Sequence, residues 1–176
     1  MTTIVPSRIA HEQGPRHIVG AGFDIAVHEG RRRAARVVPG TERVCVVVTD
    51  SVLTAAGAPV ASDLPMTLGG SSCLVWGRAD GSIQVRASWA PPALLVSPQR
   101  TLMVPETPGT PGMSFMAPGD RLLVLSVSAY EAAPERMVRL LHDKPGRLLA
   151  ADADDLLGTL LRDVPEAGGV VVTRLG

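Results

Sequence analysis

Over most of the chain the apolar residues fall in short, strand-length blocks. Helical periodicity comes only late. Val44–Thr49 and Arg121–Ser128 are nearly continuous apolar runs, the pattern of strands buried on both faces. Ser71–Gly77 and Ile83–Trp89 are strand-like and flank Asp80-Gly81, a hairpin turn signal. Ala93–Val96 is a further short strand. His17–His28, rich in small and β-branched residues, predicts a strand near the start, and Ala34–Val38 a second one. Arg31–Arg33 between them reads as the solvated rim of a hairpin, and Pro39-Gly40 as a turn. Gly168-Gly169 leads into a last strand, Val170–Arg174.

Two segments carry helix signals. Pro134–His142 places Met137, Val138, Leu140 and Leu141 on one face, with Pro134 suited to the first turn. Asp152–Asp163 spaces Leu156, Leu157, Leu160 and Leu161 helically. Ser51–Gly69, small, polar and broken by Pro59 and Pro65, predicts a loop with at most one helical turn near Leu53–Ala56. Met103–Gly112 carries three prolines and also predicts a loop. The sum is a single domain over residues 1–176, with residues 1–16 as an N-terminal arm. Its class is α+β, with about eight strands, mostly antiparallel, and two helices.

Composition narrows the function classes. With 176 residues and 45% hydrophobic content the chain can bury a substantial core. At 3% aromatic residues that core must be built from Val, Leu, Ala and Met. Seventeen basic residues balance seventeen acidic ones, which argues against a nucleic-acid or anionic-membrane binder. Cys45 and Cys73 lie in apolar strands and are expected as buried, reduced thiols. No apolar run is long enough to predict a signal peptide or membrane span, so a cytoplasmic protein is expected.

Catalytic constellations are sparse. His11, His17, His28 and His142 lack zinc-ligand spacing to one another or to a cysteine. There is no G-x-S-x-G nucleophile elbow. Gly69-Gly70-Ser71-Ser72 has no helix pattern behind it and predicts a strand entry, not a phosphate cradle. Trp76 and Trp89 fall on the two strands of one predicted hairpin, as a cross-strand core or interface pair.

The most specific stretch is Ala117–Ala132, which contains Pro118-Gly119-Asp120-Arg121-Leu122-Leu123 and then Glu131-Ala132. It resembles a metal-binding strand of the PPM-type, metal-dependent Ser/Thr phosphatases, in particular the bacterial branch named after sporulation stage II protein E (SpoIIE). Other motifs follow in family order. Gly20-Ala21-Gly22-Phe23-Asp24-Ile25 is similar to G-G-D-W-Y-D. Val46-Val47-Val48-Thr49-Asp50-Ser51-Val52 is similar to the strand ending in G-D-V-S. Ala87–Leu95 is similar to A-G-H-P-P-P-L-L, with Trp89 at the histidine. Glu166-Ala167, or Gly168-Gly169, stands where the family has D-D.

The resemblance implies a reduced PPM-like β-sandwich and a degenerate metal centre. The family holds two Mg²⁺ or Mn²⁺ ions with several carboxylates, which activate a bridging water. Here the aspartates of the motifs fall on Gly22, Ile25 and Val127, and only Asp50 is kept. Asp24 reaches a ligand position if the first motif shifts by one residue. Asp50 reads either as a strand-end residue satisfying a turn or as a vestigial ligand. The family's pair of long helices after the G-D motif has only Ser51–Ser71 to correspond to it, so one sheet face is expected to lack a helical cover.

Three functions remain open on this reading. The first is a catalytically inactive pseudophosphatase that binds a protein or regulates one, in bacterial partner-switching signalling as the resemblance implies. It would use no cofactor. The second is an active phosphatase with a rearranged Mn²⁺ or Mg²⁺ site built from Asp24, Asp50 and Asp163 or Glu166. The third is a structural homodimer. Leu74, Trp76, Val85 and Trp89 are the candidate contacts for a protein partner or a second copy. Val127 is expected to be buried within the Arg121–Ser128 strand.

Overall fold

The computed structural model describes residues 16–31, 34–50, 71–107 and 109–176. The predicted loop at Ser51–Gly69 and nearly all of the predicted N-terminal arm lie outside these residues. Eleven strands and four helices are described. In chain order they are β1 Arg16–Gly20, β2 Phe23–His28, β3 Ala35–Val38, β4 Arg43–Thr49, β5 Ser72–Arg78, β6 Ser82–Ser88, β7 Ala93–Ser97, β8 Arg100–Val104, β9 Gly112–Phe115, β10 Arg121–Leu125, α1 Val127–Ala132, α2 Pro134–His142, α3 Pro145–Ala150, α4 Ala153–Leu161 and β11 Gly169–Arg174.

The strands form two sheets, and every pairing is antiparallel. Sheet I has the order β1-β2-β11-β10-β7-β8, and sheet II the order β3-β4-β5-β6-β9. They face each other across one apolar core. Phe23, Ile25, Val27, Leu122, Val124, Val170 and Val172 come from sheet I, and Val44, Val46, Val48, Val75 and Val85 from sheet II. The period-two alternation of each strand assigns these residues inward. The scarcity of aromatics makes this a valine-rich core, with Phe23 its one large ring.

All four helices are associated with the outer face of sheet I. Ala26, Leu94, Val96, Leu123, Leu125 and Val171 point away from the sandwich and meet Ala129, Leu140, Leu148, Leu156, Leu157, Leu160 and Leu161. Burying such leucines contributes about 1.5–3 kcal/mol each. Asp152 caps α4, accepting from the N–H groups of Asp154 (2.9 Å) and Asp155 (3.3 Å). No described helix lies against sheet II; its outer face carries the small cluster Cys45, Val47 and Leu74, with Val38 and Trp76 against it.

The mainly antiparallel α+β sandwich is as expected, but several elements differ from the sequence reading. His17–His28 is a hairpin and not one strand: Ala21 (φ 49°) and Gly22 (φ 73°) both adopt left-handed geometry and reverse the chain. Parts of Met103–Gly112 belong to β8 and β9, two short, partly exposed strands. The run at Arg121–Ser128 is strand only as far as Leu125. Ser126 breaks it, and Val127 is the half-buried first residue of α1, not part of a buried strand. No helix among the described residues is long and apolar enough to cross a membrane.

Candidate functional site

Asp120 and Arg121 of the Ala117–Ala132 stretch have local structural roles. Asp120 is buried and closes the turn before β10: its carboxylate accepts the Ala117 N–H (2.9 Å) and its own N–H donates to the Ala117 carbonyl (2.9 Å). The Arg121 guanidinium donates to the carbonyls of Leu148 (2.8 Å) and Ala151 at the C-terminal end of α3. That contact satisfies carbonyls which the six-residue helix leaves without intrahelical partners. These residues keep a turn and a helix docked, a task that needs no metal.

One end of the sandwich gathers the residues that follow. Thr49 at the end of β4 pairs with Ser72, which pairs with Ser88 at the end of β6. His28 at the end of β2 lies opposite Gly169 at the start of β11. Ser126, just past β10, donates its N–H to the Gly168 carbonyl (3.0 Å) and accepts the Gly168 N–H on its hydroxyl (3.1 Å). Arg31 N–H donates to the Pro165 carbonyl (2.8 Å), which draws the β2–β3 connection to the same end.

Asp50 stands at the centre of this end. One carboxylate oxygen accepts the Val127 N–H (2.7 Å) and the Ser71 hydroxyl (3.2 Å). The other accepts the Ser128 N–H (3.2 Å) and the Ser128 hydroxyl (2.6 Å). The Ser126 side chain makes no cap on α1, so Asp50 caps this helix from a different strand. Two motif positions singled out in the sequence, Asp50 and Val127, therefore do meet. They meet as an acceptor and a backbone donor, where the family resemblance has two carboxylates.

The other sequence candidates lie elsewhere. Gly22 is in the β1–β2 turn, at the opposite end of β2 from His28, roughly 20 Å away at 3.3 Å per strand residue. There its carbonyl accepts from Arg174 (2.6 Å). Ile25 is fully buried between the sheets. Asp24 points to the helix side and pairs with His17 (3.0 Å), which also reaches Asp154 (2.9 Å). Asp163 pairs with Arg136. Glu166, in the turn before β11, is the one further carboxylate of the set carried by the Asp50 end.

The fit to a divalent ion is poor. A carboxylate offers about four lone-pair directions, and Asp50 has four donors on it. A cation at Asp50 would have to displace two helix N–H bonds and face the positive end of α1. No group of three or more His, Cys, Asp or Glu side chains suited to a metal occurs among the described residues.

The proposed contact residues are sorted by the pleat. Leu74 and Trp76 point outward from sheet II; Leu74 is buried there with Cys45 and Val47, and Trp76 is half-buried. Val85 points the other way and is fully buried in the core between the sheets, so it cannot be a contact. Trp89 does not face Trp76. It follows β6 in a left-handed conformation (φ 51°) and is 93% exposed. Cys45 and Cys73 are free and buried, and burial pushes both thiols up to about 12.

No family model and no curated sequence matches the chain. Similarity to solved structures is extensive. The RsbU and RsbW domains of Rv1364c from Mycobacterium tuberculosis superpose with a TM-score of 0.59 at 18% identity, covering 88% of this chain and 62% of that one. The PP2C phosphatase domain of SpoIIE from Bacillus subtilis, with a fragment of its regulatory domain, gives 0.54 at 13% identity, covering 92% and 62%. RsbX in complex with magnesium gives 0.62 at 7% identity, covering 92% of this chain and all of that one. This chain thus spans less than two thirds of the first two structures. At these identities the likeness establishes architecture, and the fold of this chain is that of the PPM-type phosphatases, with SpoIIE-like bacterial proteins among its structural neighbours.

Proposed function

We propose that this chain is a catalytically inactive PPM-fold protein that acts by binding another protein. The observation that carries this reading is the state of Asp50. The one motif carboxylate kept at its expected strand end is consumed as a helix cap, and the facing motif position is Val127. A two-ion mechanism needs several carboxylates around a shared water, and Asp24 and Asp163 are engaged with His17 and Arg136 instead. A regulatory role in bacterial partner-switching is supported by the RsbU and RsbW domains of the neighbour from Mycobacterium tuberculosis. The expected setting is the cytoplasm, with neither nucleic acid nor membrane as partner.

The test is hydrolysis of an aryl phosphate and of a phosphoserine peptide with millimolar Mn²⁺ or Mg²⁺. No metal-dependent rate is expected. A metal-dependent rate that disappears in Asp50→Ala would overturn the reading and favour a rearranged metal site.

A further inference from the structure

Among the described residues the two sheets end in four edge strands, β1 and β8 in sheet I and β3 and β9 in sheet II. An edge presents backbone groups that another strand can pair with, and proteins usually guard it with charge or proline. β1, β3 and β8 carry Arg16, Arg36 and Arg100. β9, Gly112–Phe115, carries no charged residue and no proline. Its two large side chains stand in solvent: Met113 is 78% exposed and Phe115 59%.

The pairing with β6 shows which backbone groups of β9 are spare. Just past the strand, the Met116 N–H donates to the Gly81 carbonyl (2.9 Å). Alternation then turns the N–H and C=O of Ser114 and Gly112 toward β6 as well, opposite Ile83 and Val85. The same groups of Met113 and Phe115 point the other way. Among the described residues no hydrogen bond reaches them from that side. Val104 and Pro105 approach Gly112 on the core face, the side to which its partner Val85 points, and so do not line this edge.

We propose that β9 is the two-fold seam of a homodimer, pairing antiparallel with β9 of a second copy. The spare groups select the occupant and the register. With Met113 opposite the second copy's Phe115, and Phe115 opposite its Met113, four backbone hydrogen bonds form. Each methionine then faces a phenylalanine on the same side of the sheet, a favourable sulfur–aromatic cross-strand pair. Neither neighbouring register does as well. Centring on Met113 sets Phe115 against Pro111, which has no N–H to give. Centring on Phe115 sets Met113 against Ala117, whose N–H is held by the Asp120 carboxylate (2.9 Å). Four residues a side make a small interface, so the dimer is weak and reversible. The isologous pairing uses up the one unguarded edge and closes on itself. The seam is separate from the Asp50 end and holds whether or not the chain hydrolyses phosphate.

The test is sedimentation of the parent from about 10 to about 500 µM, the range in which so small an interface would associate. A reversible monomer–dimer equilibrium is expected. Met113→Glu should weaken it at least about tenfold. Adding Phe115→Lys to Met113→Glu sets opposite charges across both pairs of this register and should recover the dimer. Ser114 lies opposite its own copy as a non-hydrogen-bonded pair, with Cα atoms about 4.5 Å apart, within disulfide reach. Mild oxidation of Ser114→Cys should therefore cross-link two chains, while Ser82→Cys, one strand further in, should not. The native Cys45 and Cys73 are buried and stay out of the reaction. Circular dichroism confirms that each variant is folded. A parent that remains monomeric at the highest concentration overturns the proposal. So does a dimer that Met113→Glu leaves intact, or one that the double substitution fails to recover.

Discussion

Asp50→Ala separates a structural carboxylate from a metal ligand. The substitution removes the acceptor for two backbone N–H groups, those of Val127 and Ser128, and for the hydroxyls of Ser71 and Ser128. The hydroxyls can turn to water, but the two N–H groups point along the axis of α1 and keep their direction. Hydrogen bonds to a charged acceptor contribute roughly 1.5 kcal/mol or more each, so the loss should be about 3 kcal/mol. In a domain of this size that lowers the melting temperature by roughly 6–12 °C. Asp50→Asn should fall between parent and Ala, because its amide keeps one acceptor oxygen. The assay is thermal and urea unfolding in metal-free buffer. If Asp50→Ala were as stable as the parent, or more stable, the capping account would be wrong. Stabilisation on removing a carboxylate is the behaviour of an empty metal site relieved of charge.

Val127→Asp places a carboxylate on the first turn of α1 beside Asp50, where the helix end favours it and the neighbouring charge opposes it. About 1 kcal/mol of destabilisation is expected in urea unfolding; a loss above about 4 kcal/mol would mean a fully buried site. The pKa of His17 is raised above 6.5, chiefly by its hydrogen bond to Asp24, which outweighs desolvation by burial, with the Asp154 and Asp24 charges adding to the rise. Because the folded value is raised, this contribution to stability is fully present below the unfolded value and fades as pH rises through the folded one. His17→Gln should flatten that part of the stability–pH curve, and an NMR titration of the imidazole giving a value at or below 6.5 would contradict the clamp. Arg121→Ala removes the donor to the Leu148 and Ala151 carbonyls and should cost about 1–3 kcal/mol, frays of α3 appearing first in amide exchange.

The elements legible in the sequence are those whose pattern is set by burial on a known face. β4, β5, β6, β10 and β11 show as apolar blocks because they run through the core, and α2 and α4 because they carry a leucine face. β8 and β9 were invisible because their side chains are largely half-exposed and the prolines around them imitate a loop. α1 was hidden by the apolar run that ends β10. Nothing in the letters marks Ser126 as the break, since the cause is its pairing with Gly168 from the α4–β11 connection. The same division holds at the site. Asp50 was found from its strand end, whereas its partners come from Ser71 and α1, far along the chain. Gly22 and Ile25 were matched by letters alone, and the β1–β2 hairpin carries that stretch to the wrong end of the sandwich. Trp89 escaped because the hairpin strand stops one residue short of it.

The order of strands in the two sheets sets a timetable for assembly. β3 to β6 form a meander in which each strand pairs with the next, so most of sheet II can close as it emerges from the ribosome. Sheet I cannot. β11 lies between β2 and β10, and without it the sheet is two separate pieces, the β1–β2 hairpin and the β10-β7-β8 ribbon. Every helix then waits on a face that is not yet continuous. Insertion of Gly169–Arg174, the last in chain order of the described strands, must join contacts separated by most of the residues before it, which is the slow kind of step. Until it happens the unpaired edges of β2 and β10 are open to any other strand, including those of a neighbouring nascent chain. A ribosome stalled before Gly169 would therefore hold a finished meander beside two unjoined halves, a species prone to swapping strands with its neighbours.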